Sequence, residues 1–102
     1  MPVHHIENSK TLQDLIYIND LVVIDFSATW CEPCKKISPA YEKLANTFTN
    51  WVFTKVDVDI VPDCAENYQV TAMPTFVFIK NGSVVGRVVG ADINKVIEML
   101  QK

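Results

Sequence analysis

Cysteine is scarce in this chain: three residues among 102, an odd count too low to brace a secreted scaffold with disulfides. Basic runs are missing too. Nine Lys and Arg are scattered against twelve Asp and Glu, for a net charge of −3, which sets aside nucleic acid and membrane surfaces as partners. No apolar stretch approaches a bilayer span; the run from Leu21 stops at Asp25. The N-terminal MPVHHIENSK has no basic segment followed by an apolar core and a small-residue cleavage site. The expectation is therefore a cytosolic or nuclear protein. Repeats, low-complexity tracts and Pro/Gly/Ser linkers are also absent. A length of 102 residues fits one domain spanning 1–102, and 49% hydrophobic residues suffice for a real core. In a reducing compartment, two cysteines close together serve metal binding or catalysis more readily than structure.

Strand-like and helix-like patterns alternate along the chain. Val3–Ile6 reads as a short strand. Ser9 or Asn8 caps a helix to about Tyr17, with Leu12, Leu15 and Ile16 on one face. LVVIDF, Leu21–Phe26, is a β-branched apolar run of the kind covered on both faces of a sheet. From about Cys34 the period becomes helical: Ile37, Tyr41, Leu44 and Phe48 fall at i, i+4, i+7 and i+11, with Ala40 and Ala45 beside them. Pro39 inside this helix predicts a kink. WVFTKVDVD, Trp51–Asp59, is the next strand, with Trp51 a packing residue at its start. Pro62 opens a short helix to Tyr68. PTFVFIK and SVVGRVVG flank Asn81-Gly82, a tight hairpin, and Asp92 caps a last helix carrying Ile93, Val96, Ile97 and Leu100. The order β α β α β α β β α implies an α/β fold, a central mixed five-stranded sheet flanked by four helices.

The close cysteine pair lies in FSATWCEPCKKISP, where the central strand gives way to a helix. Free N–H groups of the first helical turn face Cys31, and the positive end of the helix dipole favours a negative sulfur. Thiolate is the nucleophile of disulfide exchange. Pro33 suits the first turn, and the spacing lets Cys34 lie under Cys31, near enough to close a ring. Cys31 would attack a disulfide; Cys34 would then release the product, and must first lose its proton. Asp25 is the candidate acceptor. A carboxylate within a doubly covered strand is costly without partners, so it either serves this purpose or reaches solvent or a backbone donor through strand twist. Lys55, mid-strand in FTKVDV, is its candidate ion partner or an ordinary solvated side chain.

These residues together identify a resemblance to the thioredoxin family, covering essentially the whole chain through VVIDFSATWCEPCK, KVDVD, TAMPTF, the Asn81-Gly82 hairpin and VGAD. It is closest to single-domain, eukaryotic-type cytosolic members. The resemblance implies a thioredoxin fold and a protein-disulfide reductase active in electron transport and cell redox homeostasis. Cys31 is then the nucleophile, Cys34 the resolving residue, the two forming a redox-active disulfide. Asp25 is the proton acceptor and Lys55 its partner. Pro74 is implied to follow a cis bond, a state that generally only about 5% of X–Pro bonds adopt. Trp30, Pro33, Met73, Pro74, Gly90 and Ala91 are implied to dock substrates and the reductase. No bound cofactor is implied; electrons come from NADPH through a thioredoxin reductase. Clients are disulfide-containing proteins such as peroxiredoxins and ribonucleotide reductase, and the protein is a monomer in the cytoplasm.

Rival functions are a partner-binding scaffold without turnover, an iron–sulfur or zinc carrier, and an oxidising or isomerising relative. The intact Cys31/Cys34 pair with Asp25 opposes the first. Two histidines, His4 and His5, far from the cysteines in sequence, do not complete a zinc pattern. Oxidising relatives usually carry His before the second cysteine, where this chain has Pro33. Cys64 reads as a small apolar residue or as an oxidisable regulatory thiol. Glu32 departs from the family, which usually has Gly there. At roughly 6–7 Å and an effective dielectric of about 40–80, its charge costs a Cys31 thiolate about 0.6–1.4 kcal/mol. Glu32 is thus a redox-tuning residue that slightly weakens the nucleophile and makes the couple more reducing. Glu32→Gly should raise the Cys31 thiolate fraction at fixed pH by up to about tenfold, read by alkylation rate, and make the couple less reducing. An unchanged rate and potential would assign Glu32 to partner selection instead.

Overall fold

The computed structural model describes residues 3–102. Its elements run β1 (Val3–Ile6), α1 (Ser9–Ile18), β2 (Leu21–Ser27), α2 (Glu32–Thr47), β3 (Val52–Asp57), α3 (Pro62–Asn67), β4 (Thr75–Lys80), β5 (Ser83–Val89) and α4 (Ile93–Leu100). The strands form one sheet in the order β1-β3-β2-β4-β5. β1, β3 and β2 are parallel, because a helix carries the chain back between them; β4 and β5 run antiparallel. β2 is hydrogen-bonded on both edges, and its last six residues are all buried.

The two-residue period of the strands divides the core. Val22, Ile24 and Phe26 of β2 join Val56, Val77 and Ile79 against Leu12 and Ile16 of α1 and Cys64 of α3. Val23 joins Phe53, Phe76 and Phe78 on the other face, against Ile37, Tyr41 and Ala45 of α2 and Val96 and Leu100 of α4. Asp25 shares the parity of Val23, which turns it toward α2. Tyr41 packs its ring 5.1 Å from Phe53 and 5.5 Å from Phe76, and its hydroxyl donates to Thr54 O at 2.7 Å. Trp51 is buried just before β3, edge-on to Phe78, and its Nε1 donates to Leu100 O at the end of α4.

Several boundaries differ from the sequence expectation for local reasons. Of the two expected caps of α1, it is Asn8 that accepts from Thr11 N. α2 starts at Glu32, not at about Cys34, because Cys31 is its cap and Pro33 fits the first turn. Pro39 lies inside α2, as the sequence places it, and the helical span runs across it. β3 ends at Asp57 instead of Asp59: the Asp57 carboxylate accepts from Asp59 N at 2.9 Å, an Asx turn that bends the chain away from the sheet. At the hairpin Asn81 and Gly82 both take positive φ, 51° and 82°, as a two-residue turn demands.

Tyr41→Phe removes the hydroxyl that donates to Thr54 O at 2.7 Å and lies 3.4 Å from Val23 O. It should lower stability in urea unfolding by about 1–2 kcal/mol with an unchanged slope; a variant as stable as the native protein would show that this bond contributes nothing.

Candidate functional site

The site forms where β2 ends and α2 begins. Cys31 has extended backbone angles, and its Sγ accepts from Cys34 N at 3.3 Å, so the sulfur itself caps the helix. A donor and a helix N-terminus aimed at one sulfur stabilise negative charge on it. Cys34 stands one turn on, its Cα 5.3 Å from that of Cys31, with the sulfurs at disulfide bonding distance. Both cysteines are buried and pack with Ala28, Val58 and Met73. The Cys31 sulfur lies 3.7 Å from Met73 O. The Met73–Pro74 peptide bond is cis, and Pro74 O accepts from Gly90 N at 2.8 Å. Gly90 holds a φ of +100°, the region that favours glycine.

The residues expected to form the docking rim lie in three segments, 30–33, 73–74 and 90–91. Trp30 is 64% exposed despite its size, and its Nε1 donates to Asp59 Oδ2 at 2.9 Å. Pro33 and Ala91 are exposed and line one groove, together with Lys36 and Ile93. Met73 is half-buried beside the sulfurs, and Pro74 is buried behind it. Asp59 was not legible as a site residue; its only sequence signal was the Asp-x-Asp spacing of a turn, 29 residues from Trp30.

Asp25 is 1% exposed, and neither carboxylate oxygen has a hydrogen-bond partner among the described residues. This rules out the alternative in which strand twist carries it to solvent or a backbone donor. Burial pushes its pKa from 3.8 up to about 7, and the positive charge of Lys55 offsets part of that rise. Lys55 is its direct cross-strand neighbour in register, but the two make no ion pair. The Lys55 ammonium instead donates to Ser38 Oγ at 3.1 Å. A contact partnership between Asp25 and Lys55 is therefore corrected to an influence through space, since the β3 side chain is long enough to reach the α2 hydroxyl. Ser38 carried no signal in sequence.

Glu32 pairs with Lys35, one turn along, at 3.4 Å with both side chains exposed. Cys64 is 1% exposed within the α1/α3 core, where burial and the Asp63 charge push its thiol pKa up, as suits a small apolar residue rather than a reactive thiol. His4 and His5 are exposed on β1, and among the described residues no three His, Cys, Asp or Glu side chains gather into a metal set.

Two sulfurs that switch between bonded and free across one helical turn exchange two electrons with another disulfide, and this geometry defines a site of thiol–disulfide exchange. The chain matches the family model described as Thioredoxin over residues 3–102. It is 50% identical over 94 residues to Thioredoxin H5 of Arabidopsis thaliana, covering 92% of this chain and 80% of that one. Thioredoxin 1 of Plasmodium falciparum is 41% identical over 97 residues, 95% of this chain and 93% of that one. The crystal structure of Schistosoma mansoni thioredoxin aligns with a TM-score of 0.93 at 44% identity, over 97% of this chain and 93% of that one. The chain belongs to the thioredoxin family, and with its cysteine pair intact it is a thiol–disulfide oxidoreductase. The general mechanism of that family includes re-reduction by a thioredoxin reductase.

The folded protein holds the Asp25 proton more tightly than the unfolded chain does. Its contribution to stability is therefore full below pH 3.8 and is lost as pH rises through about 7, a loss of about 4 kcal/mol by about pH 8. Asp25→Asn has no proton to lose. Its stability relative to the native protein should grow by up to that amount between about pH 4 and about pH 8 in denaturant titrations. Parallel pH curves would mean the carboxyl is not perturbed.

Proposed function

We propose that residues 1–102 act as one thioredoxin domain that reduces protein disulfides, with the site residues dividing the work as follows. Cys31 as thiolate attacks one sulfur of a client disulfide, forming a mixed disulfide and expelling one client thiolate, which takes up a proton. Asp25 accepts the Cys34 proton. The Cys34 thiolate attacks the Cys31 sulfur, closing the Cys31–Cys34 disulfide and releasing the second client thiolate, which is protonated in turn. Two electrons pass from the dithiol to the client.

The observation that carries this reading is a buried Asp25, without a hydrogen-bond partner among the described residues, on the strand that leads into the Cys31 cap of α2. An acceptor with a pKa of about 7 is near half-ionised at neutral pH, which suits both taking a proton and giving it back. Trp30, Pro33, Met73, Pro74, Gly90 and Ala91 form the docking rim. The exposure of Trp30 supports this, because leaving a large indole in water is unfavourable unless a partner covers it. Lys55 tempers Asp25 through space, and Glu32 tunes the couple.

The pair returns to the dithiol by exchange with a thioredoxin reductase that draws on NADPH, with no cofactor bound to this chain itself. The clients are disulfide-bearing proteins of the peroxiredoxin and ribonucleotide reductase kind. The protein works as a monomer in the cytoplasm, where a reducing poise keeps the dithiol form available, and so serves electron transport and redox homeostasis.

Insulin reduction with a chemical or enzymatic reductant tests the assignment. Native protein should precipitate the insulin B chain catalytically. Cys34→Ser should lose turnover and accumulate a covalent adduct through Cys31 on a non-reducing gel, while Cys31→Ser should form none. An adduct through Cys34 or Cys64, or full turnover in Cys34→Ser, would reverse the roles.

A further inference from the structure

Ser38 follows Cys34 by four residues in α2, so the two side chains lie one above the other on a single helix face. Both line a cleft of about 750 Å³ that opens beside the disulfide. Lys55 lines the same cleft from β3, and the bond from its Nζ to Ser38 Oγ joins the two elements across 17 residues of sequence. Asp25 and Lys55 stand opposite each other in the β2–β3 register, yet the carboxylate has no hydrogen bond and no ion pair. An influence exerted through space depends on where the ammonium is held, and a lysine stem is flexible enough to hold it in many places.

We propose that Ser38 is a positioning residue: its hydroxyl fixes the Lys55 ammonium against α2, next to the strand position of Asp25, and so sets the charge that the proton acceptor feels. This rests on the reading of Asp25 as the acceptor for Cys34. The other ionisable groups around the cleft are His5 and Glu7 at the end of β1, Lys35 on α2 and Asp57 at the end of β3. Tyr41 also feels the Asp25 charge, but its hydroxyl is committed to Thr54 O. None of these bonds the Lys55 ammonium; its hydrogen bond is to Ser38.

Without that hydroxyl the ammonium has two directions open to it. Inward it would shed its hydration beside a carboxyl that is only partly ionised, which is unfavourable. Outward lies the open cleft. The ammonium therefore retreats to water, and Asp25 loses the positive charge that offsets its burial.

The test is a carbon-13 NMR titration of the Asp25 carboxyl in the oxidised protein. Ser38→Ala should move the midpoint upward by roughly half to one pH unit, and Ser38→Thr, which keeps the hydroxyl, should stay at the native midpoint. Lys55→Met should raise it at least as far, and adding Ser38→Ala to Lys55→Met should change nothing more. The Ser38 assignment is overturned if Ser38→Ala leaves the midpoint unchanged or lowers it, if Ser38→Thr rises equally, or if the rise persists without Lys55. A native midpoint in Lys55→Met would remove the Lys55 influence and Ser38's role with it. A midpoint near 3.8 in the native protein would strike the underlying reading of Asp25 instead.

Discussion

The carboxyl of Asp25 is buried with no hydrogen-bond partner among the described residues, and the arrangement of the site follows from how that is achieved. β2 is paired on both edges, so no strand edge offers a route to solvent. Its two-residue period points Asp25 at the face that α2 covers, and α2 begins soon after β2 ends because Cys31 caps it and Pro33 fits its first turn. Isolating an ionisable group in this way costs several kcal/mol at neutral pH. The fold meets that cost from the two-sided core, in which Val22, Val23, Ile24 and Phe26 are fully buried.

The remaining site residues separate into an inner and an outer set. In the proposed reading the inner set, Cys34, Asp25, Lys55 and Ser38, concerns protons: where one is held, and how strongly a fixed charge opposes it. Outside, Trp30, Pro33, Met73 and Ala91 present apolar surface around the Cys31 sulfur, and the bond from Gly90 N to Pro74 O fastens two loops of that surface together. The Trp30–Asp59 bond fixes the indole while leaving its ring exposed. In that reading docking and proton control meet at the disulfide.

Most of the fold was readable because it depends on local signals. The β-branched run of β2, the heptad-like spacing of Ile37, Tyr41 and Leu44, the Asn81-Gly82 turn and the Asp92 cap each specify their element without reference to the rest of the chain. The cysteine pair was readable for the same reason, since strand, cap and helix are contiguous there. What was hidden lies between distant segments. Whether Lys55 reaches Asp25 or Ser38 depends on the α2–β3 separation, and the Trp30–Asp59 contact depends on the Asx turn that ends β3 early. The burial of Asp25 stood between the two, because the apolar run implied it while twist offered an exit that only the paired edges close.

The central claim is that Asp25 takes the proton of Cys34, and the most direct measurement is the intramolecular release step itself. Reduced protein carrying a chromophoric thiol as a mixed disulfide on Cys31 can be followed by stopped flow as Cys34 expels the label. The account predicts a release rate that rises with pH around an apparent pKa near 7, and a large loss of rate below about pH 8 in Asp25→Asn. A release rate with the same pH profile in the native and Asp25→Asn proteins would contradict it.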